Sequence, residues 1–195
     1  MRTILLFGAG KSATILIDYL LEHSVLEDWK LIVVDADLSL AKSKTDHSSR
    51  ASAVSFDINN ADERSIHIRN ADIVISLLPP ALHFLIAKDC LKYEKNLLTA
   101  SYVDDNIRSI QTDIENKGLL FLCEMGLDPG IDHMSAMSVI NSIREQGGHI
   151  HSFRSHCGGL VAPESDDNPW HYKISWNPRS IVLAGKAGAH FKEDG

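Results

Sequence analysis

The sequence predicts an α/β fold, a doubly wound parallel sheet with strand order 3-2-1-4-5-6. Three observations lead there. Up to Cys123, six short and nearly continuous apolar runs alternate with segments of helical periodicity, as expected where helices cover both faces of a parallel sheet. The first run enters a Gly8-x-Gly10-x-x-Ala13 turn, and helical patterning follows at once. The second run ends in Asp35, about 20 residues beyond that turn. Right-handed crossovers then leave only a few topologies.

Taken in order, the first strand is Thr3 to Phe7. Gly8 can make the tight turn, Gly10 has no Cβ to hold a pyrophosphate off the backbone, and Ala13 lets the helix pack closely on the strand. Lys11 and Ser12 open that helix and offer backbone N–H groups at its positive end. This Rossmann-type turn is weak evidence alone, but here it lies between a strand and a helix. Ile15, Leu16, Tyr19 and Leu20 mark the expected buried face of the helix. The second strand is Leu31 to Val34, and Asp35 after it stands where a carboxylate takes hydrogen bonds from an adenosine ribose.

Ala53 to Phe56, Ile73 to Leu77, Asn96 to Thr99 and Leu119 to Cys123 supply the other strands. Leu82, Leu85, Ile86 and Leu91 mark the fourth helix face, after Pro79-Pro80. Ile107, Ile110 and Ile114 mark the fifth, after the N-cap candidates Asp104 and Asp105. Gly126 to Gly130 is a turn-rich loop opening a helix from about Ile131 to Glu145, which Gly147-Gly148 ends. His149 to Cys157 reads as extended. From Gly158 the composition turns to Gly, Pro, Asp and Asn with Trp170, Tyr172 and Trp176, as at the start of a second α+β domain. The division expected is residues 1–130 for dinucleotide binding and 131–195 for a connecting helix and the incomplete start of a substrate domain, so that the chain reads as a fragment.

Composition narrows the function. The chain has 195 residues, 44% of them hydrophobic and 23% charged, with a formal charge of −7 and no Lys/Arg cluster. That balance argues against nucleic acid as partner. No apolar run approaches the roughly 20 residues that span a bilayer, and the N-terminus lacks a leader pattern. Three cysteines without a close pair (Cys90, Cys123, Cys157) suit reduced thiols and a cytoplasmic location.

Each candidate site residue has a plainer reading beside it. Asp57, placed at the end of the third strand, sits beside the adenine or serves as a turn residue. Ser76, Leu77 and Pro79 close the fourth strand at the edge where such sheets bind ligands, or set the loop into the next helix. His83 reads as a solvated first-turn residue. Ser101 and Tyr102 follow the fifth strand; without further information Tyr102 is packing. Asp128 precedes Pro129 and Gly130, so helix capping competes with proton relay or orientation of the nicotinamide. Cys157 is buried filler or, ahead of Gly158-Gly159, an exposed thiol able to exchange a proton. Trp176 packs the second domain or lines a substrate cavity. His149 and His151 share one face of a strand, yet no second ligand pair with zinc spacing follows, so no metal is expected.

Two segments are more specific. Gly126-Leu127-Asp128-Pro129-Gly130-Ile131-Asp132-His133 and Cys157-Gly158-Gly159-Leu160-Val161-Ala162-Pro163-Glu164, continuing through Asp167-Asn168-Pro169 and Tyr172 to Trp176, resemble the saccharopine dehydrogenases of the glutamate-forming type. Ile75 to Pro79 and Ser101-Tyr102-Val103 extend the likeness over essentially the whole chain. The resemblance implies nicotinamide-dependent chemistry at a secondary amine: saccharopine is oxidised to an imine, which water cleaves to glutamate and aminoadipate semialdehyde, or the reverse. It implies Asp128, Cys157 and Tyr102 as acid/base candidates. Asp128, Pro129 and Gly130 become cofactor contacts, Ser101, Tyr102 and Trp176 substrate contacts. It also implies a longer enzyme, a homodimer in one arrangement, whose further substrate ligands lie outside this chain. NADP-using relatives carry a basic residue after the second strand; here stands Asp35-Ala36-Asp37. A carboxylate repels a 2′-phosphate and welcomes a free ribose hydroxyl, so NAD is expected, with NADP open if Lys42 or Lys44 reaches back. Competing readings are a dehydrogenase for another amino-acid or polyamine adduct, an NAD(H)-sensing module, and a methyltransferase.

Overall fold

The computed structural model describes residues 1–157, 161–173 and 182. The chain divides into compact units Met1–Ser155 and His156–Gly195. The first is built on six strands: β1 (Arg2–Phe7), β2 (Trp29–Val34), β3 (Ala51–Val54), β4 (Ile73–Ser76), β5 (Asn96–Thr99) and β6 (Phe121–Leu122). All pairs are parallel, in the order β3-β2-β1-β4-β5-β6. The order is therefore the one read from the sequence. Between them lie α1 (Thr14–His23), α2 (Leu38–Thr45), α3 (Ala61–Arg69), α4 (Pro80–Lys92), α5 (Asp105–Ser109) and α6 (Gln111–Asn116); α7 (Ile131–Glu145) follows β6.

Alternation along β1 explains its unbroken apolar run. Ile4 and Leu6 pack on one face with Ile17, Leu20, Leu21 and Ala41 of α1 and α2. Leu5 and Phe7 pack on the other with Ile68, Ile86, Ala87 and Cys90 of α3 and α4. Burying each such large side chain stabilises the fold by about 1.5–3 kcal/mol. Under the second layer, Arg64 is almost fully buried. Its Nε lies 2.5 Å from Asp89 Oδ2, and its Nη1 donates to the Ile58 carbonyl at 2.6 Å.

Several expectations shift. The buried face of α1 is Ile17, Leu20 and Leu21, whereas Ile15 and Tyr19 are exposed, because the stripe at i, i+3, i+4 begins two residues later. The third strand lies two residues earlier than expected and stops level with Val34. Phe56 has left the ladder; it meets Phe7 edge-on and stacks on His67. The isoleucine helix is two short ones broken at Ile110, with Asp104 alone of the two candidates as its cap, accepting from Ile107 N–H at 2.8 Å. Residues 149–157 form no strand. No described helix is long and apolar enough to cross a membrane.

In the second unit, the described residues around a short 3₁₀ turn, Pro163–Ser165, are turn-rich. They are tied by His171–Asp166 and Lys173–Asp167 contacts at 2.6 and 2.8 Å. Trp170 is exposed. Trp176 lies outside the described residues.

Candidate functional site

The site begins where β1 ends. Gly8 N–H still donates to the Val34 carbonyl, and Leu77 N–H to the Phe7 carbonyl, both at 2.8 Å. The backbone at Gly8 then turns with φ +100°, and a Cβ there would stand 3.0 Å from the Leu77 carbonyl oxygen. Only glycine meets both conditions without strain. Gly10 differs. Its φ of −62° suits any residue, and a Cβ there would meet nothing within 4 Å. What Gly10 leaves open is therefore space in front of the turn, not a conformation. Lys11, Ser12 and Ala13 form one 3₁₀ turn leading into α1, with Ala13 buried beneath it.

Asp35 joins the turn to the end of β2. Its two oxygens accept from Ala9 N–H at 2.7 Å and Asp37 N–H at 3.0 Å. Asp37 caps α2 through the Ser39 and Leu40 amides, and the Ser39 hydroxyl first, then those amides, hold its carboxyl below the usual carboxylate range. Of the two lysines considered, Lys44 reaches back: its Nζ donates to the Gly10 carbonyl at 2.7 Å and Thr14 Oγ1 at 2.9 Å.

A cavity of about 580 Å³ runs along this edge, and Gly8, Gly10, Asp35, Asp57, Leu77 and Pro79 all line it. Six predicted residues are thus brought together. Asp57 is also a turn residue, accepting from Asn59 N–H at 2.9 Å, so its two readings coexist. The volume, the open cradle and the N–H groups at its rim fit an extended dinucleotide. Gly8, Gly10, Lys11 and Ser12 would hold the pyrophosphate, with Asp35 at the ribose.

A second cluster lies past β5 and β6. Tyr102, exposed rather than packed, donates its hydroxyl to Asp128 Oδ1 at 2.8 Å. That bond, with some burial, raises the phenol to about 12, since ionising it would set two negative charges side by side. Asp128 is not the helix cap. Gly130 precedes α7 with φ +153°, where a Cβ would overlap the Gly126 backbone, and its N–H donates to Asp132 Oδ1 at 2.9 Å. Asp132 therefore holds the helix start and leaves Asp128 to Tyr102. Pro129 contributes its carbonyl to Gly126 N–H at 2.9 Å. Cys157, in the second unit, is exposed.

Sequence reasoning missed His83. It is buried, not solvated: Nδ1 lies 2.8 Å from Ser76 Oγ and Nε2 2.8 Å from Ser101 Oγ. A signal was present. His83, Ile86, Ala87 and Cys90 form an i, i+3, i+4, i+7 stripe, and that stripe is the buried face of α4.

Comparison with known proteins agrees with this architecture. Residues 4–122 match the saccharopine dehydrogenase NADP binding domain, and residues 126–195 match the saccharopine dehydrogenase C-terminal domain. The chain is 40% identical over 168 residues to the alpha-aminoadipic semialdehyde synthase of Arabidopsis thaliana, covering 86% of this chain and 16% of that one. It is 34% identical over 194 residues to the saccharopine dehydrogenase [NADP(+), L-glutamate-forming] of Saccharomyces cerevisiae, covering 100% and 43%. The apo structure of the L-Glu-forming saccharopine dehydrogenase from Saccharomyces cerevisiae superposes with a TM-score of 0.84 at 34% identity, over 94% of this chain and 40% of that one. The chain spans less than half the length of each of these relatives. With an open glycine cradle, a doubly wound sheet and two family matches that between them run from Ile4 to Gly195, this chain belongs to the saccharopine dehydrogenase family.

Proposed function

We propose that this chain is the cofactor-binding part of an oxidoreductase that interconverts saccharopine with glutamate and aminoadipate semialdehyde, using NADP. Residues 1–130 bind the dinucleotide in this reading, and residues 131–195 begin the part that meets the substrate. The observation that carries the chemistry is the Tyr102–Asp128 pair at the carboxyl edge of the sheet. Amine oxidation needs the substrate nitrogen unprotonated before the adjacent carbon gives up hydride, and a proton must move again when water adds to the imine. Asp128 accepts such a proton at its carboxylate, while Tyr102, kept protonated, orients it. Cys157 is the third acid/base candidate, and Ser101, Tyr102 and Trp176 are substrate contacts. When bound, the nicotinamide cofactor supplies the hydride chemistry, and the protein supplies orientation.

NADP is favoured by the family model and by curated relatives that bear NADP(+) in their names. Lys44, at the glycine turn, is the cation that would face a 2′-phosphate. A specific observation favours NAD instead: Asp35 and Asp57 line the cavity, and among the described residues no basic side chain does. The affinity ratio decides between them. Lys44→Ala is expected to weaken NADPH about tenfold and leave NADH unchanged; an equal effect on both removes Lys44 from this role. Cys90, buried, and Cys123, half-buried, are thiols, which suits a reducing compartment such as the cytoplasm.

Saccharopine with either cofactor, followed by absorbance of the reduced nicotinamide, tests the whole reading. In a longer protein that joins this chain to the remaining part of its relatives' length, turnover is expected and Asp128→Asn is expected to lower kcat roughly 10²–10⁴-fold. The isolated 195-residue chain is expected to bind cofactor with little or no turnover. Tight NADPH binding with no reaction on any amino-acid adduct would identify a sensor instead.

A further inference from the structure

Ser76, at the end of β4, is fully buried. Among the described residues, His83 Nδ1 is the only partner of its hydroxyl oxygen. A serine hydroxyl carries one proton, and a neutral imidazole has one N–H and one bare nitrogen. If Nδ1 carried the hydrogen, it would donate to Ser76 and strand the Ser76 proton in a dry site, a costly arrangement. Ser76 must therefore donate to a bare Nδ1. The hydrogen of His83 then sits on Nε2 and is donated to Ser101 Oγ at 2.8 Å. With that oxygen already accepting, the Ser101 hydroxyl is left to donate outward. Ser101 is only half-buried, and stands at the carboxyl edge of β5 where sheets of this kind bind ligands.

We infer that Ser76, His83 and Ser101 form a neutral, one-way hydrogen-bond chain that holds the Ser101 hydroxyl as a donor to a carbonyl or carboxylate oxygen of a ligand in the crevice, with His83 as the positioning residue. The inference rests on the proposed nicotinamide-dependent amine chemistry for the ligand's identity, and on hydrogen-bond geometry and burial for the chain itself. Its direction depends on His83 staying neutral. Burial does this, depressing the imidazole to about 4 against the opposing pull of Asp104. Two ligand oxygens fit: the carboxamide of the nicotinamide and a carboxylate of the amino-acid substrate.

Nitrogen-15 NMR of the histidine rings in the 195-residue chain tests the direction without any ligand. The expected result is a single Nε2-protonated neutral His83 from pH 8 down to pH 5. A proton on Nδ1, or titration near 6.5, overturns the inference. In the longer protein, Ser101→Ala, His83→Phe and the double variant are then compared. Ser101→Ala is expected to weaken NADPH binding, or to raise KM for saccharopine, by roughly tenfold. Whichever constant moves identifies the ligand oxygen. Adding His83→Phe to Ser101→Ala should cost that constant little more, because both act through one hydroxyl. His83→Gln, whose amide reaches the Nε2 position, should restore most of the loss. Additive losses, or an unchanged constant in both assays for Ser101→Ala, overturn the inference. Wild-type protein inert toward saccharopine would instead sink the proposed function, leaving the NMR result to judge the hydrogen-bond chain.

Discussion

Gly8 and Gly10 stand two residues apart in one motif, yet replacing them should produce opposite defects. Gly10 has φ −62° and ψ −178°, and a Cβ there meets nothing within 4 Å. Gly10→Ala should therefore fold as well as the parent, or better by about 0.4–1 kcal/mol through a less flexible unfolded chain. Gly10→Val fits the same extended backbone, but fills the space a pyrophosphate needs to reach the turn. Displacing it from one or two backbone N–H groups, each charge-assisted bond contributing about 1.5–3 kcal/mol, weakens binding roughly 10- to 10⁴-fold. Gly8→Ala meets two obstacles that Gly10 does not: φ +100° and a Cβ 3.0 Å from the Leu77 carbonyl oxygen. Backbone strain of this kind costs about 1–3 kcal/mol before the crowding is relieved. Urea denaturation and NADPH fluorescence titration on both variants separate the effects. Gly10→Val with parental affinity, or with the instability of Gly8→Ala, would refute the reasoning.

Two further outcomes follow from the crevice. His83 has a depressed value in the folded chain, about 4 against 6.5 when unfolded, so the unfolded state takes up its proton first as pH falls. Stability is thus full above pH 6.5 and is lost toward pH 4, by on the order of 3 kcal/mol; urea midpoints at pH 7 and 4.5 should differ more in the parent than in His83→Gln. Asp128→Asn removes the carboxylate whose hydrogen bond, with its charge, raises Tyr102 to about 12, so an ultraviolet titration should show one tyrosine moving down toward 10; no movement would mean that the two side chains do not meet.

Much of this architecture was legible because local chemistry and global packing agree. The order of the sheet follows from alternation and crossover handedness, and β1 reads as an unbroken apolar run from Ile4 to Phe7 because α1 and α2 cover one face, and α3 and α4 the other. The residues of the glycine turn and Asp35 were legible for the same reason: the motif sets them on consecutive parallel strands. What escaped was set by tertiary contact. Phe56 looks like strand, but is held by Phe7 and His67 instead. Asp128 looks like a cap, but Gly130 stands at that position, its N–H held by Asp132. His83 looked solvated because its partners, Ser76 and Ser101, come from two other elements, seven and eighteen residues away. No local pattern encodes that meeting.

The central claim is that an anion is held by main-chain amides at the turn after β1. Backbone amide NMR of the 195-residue chain titrated with NADPH examines it directly. Saturable shifts are expected at Ala9, Gly10, Lys11 and Ser12, together with Asp35 across the cavity. Saturable shifts confined to other strands, or none at millimolar NADPH, would contradict it.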